Sequence, residues 1–90
     1  MTSESSEILR GESVIATQDY DLFGNNVNNC LGIFLKIDSQ TNKSLIYFPE
    51  FEEWAELTPS QFKREAPGRI PKENKEFISR VKTLEYSYAL

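Results

Sequence analysis

The most apolar stretch of this chain follows a period of two residues. In the segment 30–38, CLGIFLKID, four residues fall on one side, namely Leu31, Ile33, Leu35 and Ile37, and Phe34 falls on the other. Successive side chains of a β-strand point to opposite faces of a sheet, whereas a helix repeats every 3.6 residues. The pattern therefore predicts a strand over residues 30–38.

Two neighbouring segments also predict strands. The segment 12–18 is short and contains Val14 and Ile15, which favour β structure. Residues 44–48 alternate in the same way, and Pro49 ends or edges that strand because proline lacks the backbone N–H donor.

The segment 50–57, EFEEWAEL, fits two structures. In a helix, Phe51, Trp54 and Leu57 would lie three apart on one face, and in a turn followed by a strand Trp54 and Ala55 would point in opposite directions. The Thr-Pro pair that follows ends any helix at residue 57. We favour the turn and short strand.

The segment 19–29 is rich in residues that break regular structure. It contains Gly24 and four asparagines within five residues, and Asn and Gly tolerate left-handed backbone conformations. We expect an irregular loop with Leu22 and Phe23 tucked beneath it. Loops of this length in compact domains are often functional.

The C-terminal third predicts helical structure. Thr58-Pro59-Ser60-Gln61 matches a helix-capping pattern and predicts one helical turn carrying Phe62. A second helix is expected from Pro71 to Leu84 or Tyr86, with lysines and arginines off its apolar face. The apolar face comprises Phe77, Ile78, Val81, Leu84 and Tyr88.

Composition excludes several classes of chemistry. The chain has 90 residues, a single cysteine, Cys30, and no histidine, which removes His-based catalysis, zinc sites that need imidazole and an internal disulfide. We therefore expect no enzyme activity, no cofactor and no metal. Residues 1–7 resemble no secretory signal, and no stretch is long enough to span a bilayer, so we expect a soluble, intracellular, cytoplasmic protein without a membrane partner.

Charge is distributed unevenly along the chain. The net charge is −4, but residues 1–57 carry ten acidic and three basic side chains, whereas residues 58–90 carry four acidic and seven basic ones. An acidic chain disfavours general nucleic-acid binding, and the basic C-terminal third keeps it as the alternative function. The residues expected to contact nucleic acid are Lys63, Arg64, Arg69, Lys72 and Lys75.

The order of these segments resembles a small SH3-like barrel of the Tudor type over residues 14–63. The matching pieces are Val-Ile-Ala at 14–16, Tyr20 with Phe23, Leu-Lys-Ile-Asp at 35–38, and Leu-Ile-Tyr-Phe followed by Glu-Phe-Glu-Glu-Trp at 45–54. The expected fold class is mainly β, a small SH3-like barrel with a C-terminal α-helix. We expect residues 1–7 to form a disordered tail, residues 8–66 the barrel, and residues 67–90 a helix and tail packed on it.

The resemblance implies peptide recognition, often of methylated Lys or Arg inside an aromatic cage. The cage walls by position would be Tyr20, Phe23, Tyr47, Phe51 and Trp54, with Glu50 or Glu53 near the cation. Independently, aromatic rings interleaved with acids over residues 48–56 favour docking of a basic partner. We expect a non-catalytic protein-interaction module or accessory subunit of a larger complex. Its predicted partner-binding residues are Tyr20, Phe23, Glu50, Phe51, Glu53 and Trp54.

Overall fold

A computed structural model describes the backbone of residues 7–89 and the side chains of residues 7–81. The elements of this part of the chain are β1 (Ser13–Ala16), β2 (Asp21–Leu22), β3 (Asn25–Asn26), β4 (Leu31–Asp38), β5 (Lys43–Phe48), β6 (Glu53–Leu57), β7 (Phe62–Arg64) and α1 (Lys72–Ala89), with one turn of 3-10 helix at Pro59–Gln61. Among the described residues no helix is both long and apolar enough to cross a membrane. The tail predicted for residues 1–7 falls, except for Glu7, outside the described residues.

Five strands form one antiparallel sheet in the order β6-β5-β4-β1-β7. Consecutive strands β4, β5 and β6 pair as neighbours, and β7 returns to the free edge of β1, where Ala16 faces Phe62. Along the described chain β6 and β7 stand at opposite ends of the sheet order. The prediction of a mainly β fold with a C-terminal helix is thus confirmed, whereas closure into a barrel stays a prediction.

The main core lies on one face of this sheet. Alternation along β5 and β6 sends Ile46, Phe48, Ala55 and Leu57 to that face, where all four are buried. Leu45 and Tyr47 lie on the other face, so the predicted alternation over residues 44–48 is confirmed. The rest of this core comprises Val14, Ala16, Leu22, Val27, Phe34 and Phe62.

The other face of the sheet is covered by α1. Val81 is fully buried against Leu35 and Leu45, with Phe77 and Ile78 packed beside it. Phe77, Ile78 and Val81 belong to the predicted apolar face of the helix. Its other two predicted members, Leu84 and Tyr88, lie outside the described side chains.

A buried asparagine fixes the start of α1. Asn74 Nδ2 donates to the carbonyl of Gly11 at 2.8 Å and to Ser13 Oγ at 2.9 Å. Asn74 is buried, so it supplies both acceptors with a hydrogen bond at a position that solvent does not reach. This side chain joins the first turn of the helix to the entry of β1.

A buried carboxylate joins the segment before β1 to β7 and to the turn that follows β7. Glu12 is fully buried and accepts hydrogen bonds from Leu9 N at 2.8 Å, Gly68 N at 3.2 Å, and Arg64 Nε and Nη2 at 2.9 and 2.7 Å. Burial alone raises the pKa of this carboxyl, but the hydrogen bonds and the positive charge of Arg64 outweigh burial and hold the pKa below its usual value. Glu12 is therefore charged and matched by its surroundings at neutral pH.

Two details of the predicted strands are wrong. A β-bulge between Phe34 and Lys36 breaks the two-residue period of β4, so that Ile37 no longer follows Ile33 and Leu35 on one face. Leu31, which precedes the bulge, and Ile37 are 48% and 49% exposed. Phe62 was expected on a helical turn, but it is the first residue of β7, because the 3-10 turn ends at Gln61.

The favoured structure of residues 50–57 is confirmed. A turn precedes β6, and Ala55 is buried on the opposite side of the strand from Trp54. The capping pattern predicted at Thr58 is also present, since its backbone N–H donates to Gln61 Oε1 at 2.8 Å.

Candidate functional site

The asparagine-rich segment 19–29 forms a small hairpin instead of an irregular loop. Strands β2 and β3 pair here, and side-chain oxygens serve as backbone partners: Asn26 Oδ1 accepts from Tyr20 N at 3.2 Å and from Asn28 N at 3.0 Å. Asp19 Oδ1 in turn accepts from the amides of Asn26 and Asn28. The asparagines that predicted an irregular loop thus supply hydrogen bonds that stabilise the hairpin.

Phe23 occupies the tip of this hairpin in an unusual conformation. The register Leu22–Asn25 leaves a two-residue turn, Phe23-Gly24, in which both residues have positive φ, +52° and +89°. Turns of this type favour Asn, Asp or Gly at the first position, because a Cβ is strained there. Phe23 is also 78% exposed, so the expectation that it tucks beneath the loop is wrong, whereas Leu22 is buried as expected.

Beside Phe23 lies a recess of about 460 Å³ between the hairpin and β6. Three aromatic side chains line it, those of Tyr20, Phe23 and Trp54, together with the carboxylates of Asp21 and Glu56. Phe23, Asp21 and Glu56 are exposed, and Tyr20 and Trp54 are half-buried. The recess combines ring surfaces with negative charge at an accessible position, which suits a cationic, weakly hydrated group.

Trp54 is positioned from the helix side of the sheet. Its ring centroid lies 5.0 Å from that of Tyr47 and 6.0 Å from that of Phe77, and Tyr47 stacks on Phe77 at 4.6 Å. Offset and tilted ring pairs at these distances are favourable. The helix thereby fixes the orientation of the one tryptophan that reaches the recess.

The remaining predicted residues lie elsewhere. Phe51 packs against the main core, Glu53 is half-buried on β6 opposite Phe48, and Tyr47 faces α1. Glu50 sits in the turn before β6 and interacts with the thiol of Cys30. Three of the six predicted partner-binding residues therefore line the recess, and the other three do not.

Two acidic residues of the recess, Asp21 and Glu56, were not among the six residues predicted to bind a partner, although Glu56 lies in the segment 48–56 that predicted docking. Glu56 is two positions after Trp54, so the two-residue period of a strand already places both on one face. Asp21 directly follows Tyr20 in the sequence. The acids at 50 and 53 do not share that face, because residue 50 precedes β6 and residue 53 is adjacent to Trp54 on the strand.

The structure contains no activated nucleophile at Cys30. Its thiol is half-buried, and burial raises its pKa, to which the negative charge and hydrogen bond of Glu50 add. The described residues include no group of three or more Cys, Asp or Glu side chains placed to hold a metal ion.

The predicted nucleic-acid contacts divide between three elements. Lys63 lies on β7, Arg69 in the turn before α1, and Lys72 and Lys75 in the first turn of α1, and all four are exposed. Arg64 is different, because its guanidinium forms two hydrogen bonds to the buried Glu12 carboxylate. Arg64 therefore stabilises the fold and is less suited to contact nucleic acid than the four exposed side chains.

Comparisons with protein-family models, with curated proteins and with solved structures found no match for this chain.

Proposed function

We propose that this protein is a non-catalytic interaction module whose recess at Tyr20, Phe23 and Trp54 binds a basic segment of a partner protein. The observation that carries the proposal is Phe23. Its ring is exposed and its backbone is in a conformation that an asparagine would adopt at lower cost, so neither core packing nor turn formation accounts for a phenylalanine there.

The chemistry of the recess selects a cation. A Lys or Arg side chain over an aromatic ring gains about 0.5–2 kcal/mol, more where it is desolvated. The carboxylates of Asp21 and Glu56 add attraction that extends into solvent and accelerates encounter. An acidic partner would be repelled by the same two carboxylates, so the recess favours a basic partner over an acidic one.

The proposal extends to the fold type. We infer an SH3-like barrel of the Tudor type, supported by the return of β7 to β1 and by the single 3-10 turn that joins β6 to β7. On that inference the cation includes methylated Lys or Arg. A cytoplasmic accessory subunit of a larger complex is the setting in which such a module would act.

Nucleic-acid binding is the second function, with less support. It would use Lys63, Arg69, Lys72 and Lys75, since Arg64 is held by Glu12. It predicts an affinity that falls steeply with salt and does not depend on Phe23.

The test is a peptide titration followed by the fluorescence of Trp54, the one tryptophan of the chain. The probes are a flexible peptide with a central pair of lysines, the same peptide with trimethylated lysines, and the same peptide with glutamates in their place. We expect saturable binding of either lysine peptide and none of the glutamate peptide.

Matched variants locate the binding site. Phe23→Asn should abolish the fluorescence change, whereas Leu9→Asn, which removes another exposed apolar side chain away from the recess, should leave it intact. Glu56→Gln should weaken binding and Glu65→Gln, an exposed acid outside the recess, should not. Equal binding of the lysine and glutamate peptides, or indifference to Phe23→Asn, would contradict the proposal.

A further inference from the structure

A second and larger cavity lies at the edge of the main core. Its volume is about 810 Å³, and it lies between the bulged part of β4, the start of β5, and β7. Apolar side chains form most of its wall: Ile8, Phe34, Leu35, Ile37, Pro59 and Phe62. Pockets for small molecules have volumes of about 300–1,000 Å³ and walls of this character. None of these residues lines the recess beside Phe23.

The wall of this cavity includes one buried hydroxyl group without a partner. Ser44 lines the cavity and is only 1% exposed. Among the described residues its Oγ is the one buried side-chain nitrogen or oxygen that forms no hydrogen bond. Because buried polar groups in native proteins are nearly always hydrogen-bonded, this hydroxyl indicates a partner from outside the fold.

The strand register explains why the fold supplies no side-chain partner for Ser44. Ser44 is paired with Ile37 on β4 and with Leu57 on β6, and directly paired residues share a face of the sheet. The next residue of β5 on that face is Ile46. All three neighbours are apolar, so the hydroxyl is a single polar group in an apolar wall.

The polar group and the charged groups of the cavity lie at different depths. Phe34, Ser44 and Phe62 are buried, which places them at the inner end. The charged side chains of Glu7 and Lys63 are exposed at the mouth, where water screens them. A molecule that reaches Ser44 therefore places its own polar atom away from solvent and among apolar side chains.

We propose that this cavity binds a small uncharged organic molecule with an apolar body and one hydroxyl or carbonyl group, which forms a hydrogen bond with Ser44 Oγ. A serine hydroxyl both donates and accepts, so it can pair with either group. A charged group at the inner end would lose its hydration and gain only a neutral hydroxyl, which disfavours acids and amines. The wall shares no residue with the recess, so this site is independent of the proposed partner binding.

The test is an amide chemical-shift titration of the full chain with benzyl alcohol. Benzoate and benzylammonium are charged probes of similar size, and toluene is a probe without a polar atom. Shifts should cluster at residues 34–37, 44 and 62–64, and benzyl alcohol should bind about tenfold or more tightly than either charged probe. A charged probe that binds as tightly as benzyl alcohol, or shifts confined to other regions, would overturn the proposal.

A serine variant tests the hydrogen bond itself. Ser44→Ala should lower the affinity for benzyl alcohol relative to that for toluene by about threefold or more. Because the hydroxyl is unpartnered within the fold, the variant should be at least as stable as the wild type in urea unfolding. Ser39→Ala, at an exposed serine between β4 and β5 and outside the cavity, is the matched control and should change neither quantity.

A pair of tryptophan variants tests the place of binding. Ile37→Trp narrows the cavity from a half-exposed position and should weaken benzyl alcohol binding by about tenfold or more. Leu31→Trp, equally exposed on the same strand but outside the cavity, should leave the affinity unchanged.

Four outcomes of these variants count against the proposal. An unchanged ratio of the two affinities in Ser44→Ala would show that the hydroxyl does not contact the ligand. Destabilisation by Ser44→Ala beyond that of its control would show that the hydroxyl is bonded within the fold. Equal effects of the two tryptophan variants would place binding outside the cavity. A dimer mass that Ile37→Trp abolishes would assign the cavity to a second copy of the chain.

Discussion

Replacing Phe23 by asparagine tests whether its ring serves partner binding or stabilises the fold. The ring is 78% exposed, so about a fifth of it is covered. A fully buried phenylalanine covers about 150–250 Å², so the covered part amounts to roughly 30–55 Å². At about 25 cal/mol per Å², its removal costs about 1 kcal/mol of stability.

The backbone acts in the opposite direction. Phe23 has a φ of +52°, and a left-handed conformation costs an ordinary L-residue about 1–2 kcal/mol. Asparagine is several-fold enriched in this region and fits the first position of the turn. The two contributions nearly cancel, so Phe23→Asn should change the free energy of unfolding by less than about 1 kcal/mol.

Binding should respond much more strongly. One of three rings in the recess is removed, and a cation–π contact of about 1.4 kcal/mol corresponds to a tenfold loss of affinity. Urea unfolding and the peptide titration, both followed by Trp54 fluorescence, measure the two effects on the same sample. Destabilisation by more than about 2 kcal/mol with the affinity unchanged would show that Phe23 is a structural residue and would refute the reasoning.

Three further predictions concern the contacts that hold the fold. Glu12→Gln removes the buried negative charge that binds the Arg64 guanidinium and should cost about 3 kcal/mol of stability. The melting temperature should fall by roughly 12–24 °C in calorimetry, while Glu65→Gln should have little effect. The pKa of Glu12 is lower in the folded state than its ordinary value of 4.5, which applies to the unfolded chain. The charged carboxylate therefore stabilises the fold above pH 4.5, and this stabilisation is lost as the pH falls below that value. Acid titration of stability in Glu12→Gln should therefore be shallower than in the wild type, and a parallel curve would contradict the assignment. Gly32→Ala would place a Cβ 2.5 Å from Ile46 Cγ2 in the core and should cost about 1–3 kcal/mol in urea unfolding, and a neutral result would show that the core relaxes there. Asn74→Ala should cost about 1–3 kcal/mol and speed amide exchange in α1, and unchanged exchange would contradict its role in holding the helix.

Local patterns were sufficient for most of the elements. The alternation over residues 44–48 and the capping residues at Thr58 depend on neighbours within a few positions, so they predict β5 and the 3-10 turn correctly. The apolar spacing of α1 likewise depends only on helical geometry. The bulge in β4 depends on its pairing with β5, and the alternation alone did not reveal it.

Long-range partners could not be predicted from the sequence. Glu12 and Arg64 are 52 positions apart, and Asn74 and Gly11 are 63 apart, so no local pattern marks either pair. The short hairpin after β1 was missed for a related reason. Its hydrogen bonds include two that the Asn26 side chain accepts from the backbone, whereas asparagines in a sequence pattern indicate a loop.

The candidate site was only partly predictable. Aromatic and acidic composition pointed to Tyr20, Phe23 and Trp54, whereas the choice between the acids at 50, 53 and 56 required the bounds of β6. The exposure of Phe23 was unexpected, because hydrophobic residues in loops are often buried beneath them. Phe23 lies instead in the two-residue turn between β2 and β3, and that pairing was not predicted from the sequence.

The most direct test of the interaction-module function is a tagged pull-down from native lysate, with and without nuclease, quantified by mass spectrometry for the wild type, Phe23→Asn and Leu9→Asn. We expect a stoichiometric protein partner that survives nuclease, is retained by Leu9→Asn and is lost from Phe23→Asn. Loss of all partners on nuclease treatment, or equal recovery by both variants, would contradict binding through the recess and would favour the basic residues of the C-terminal third.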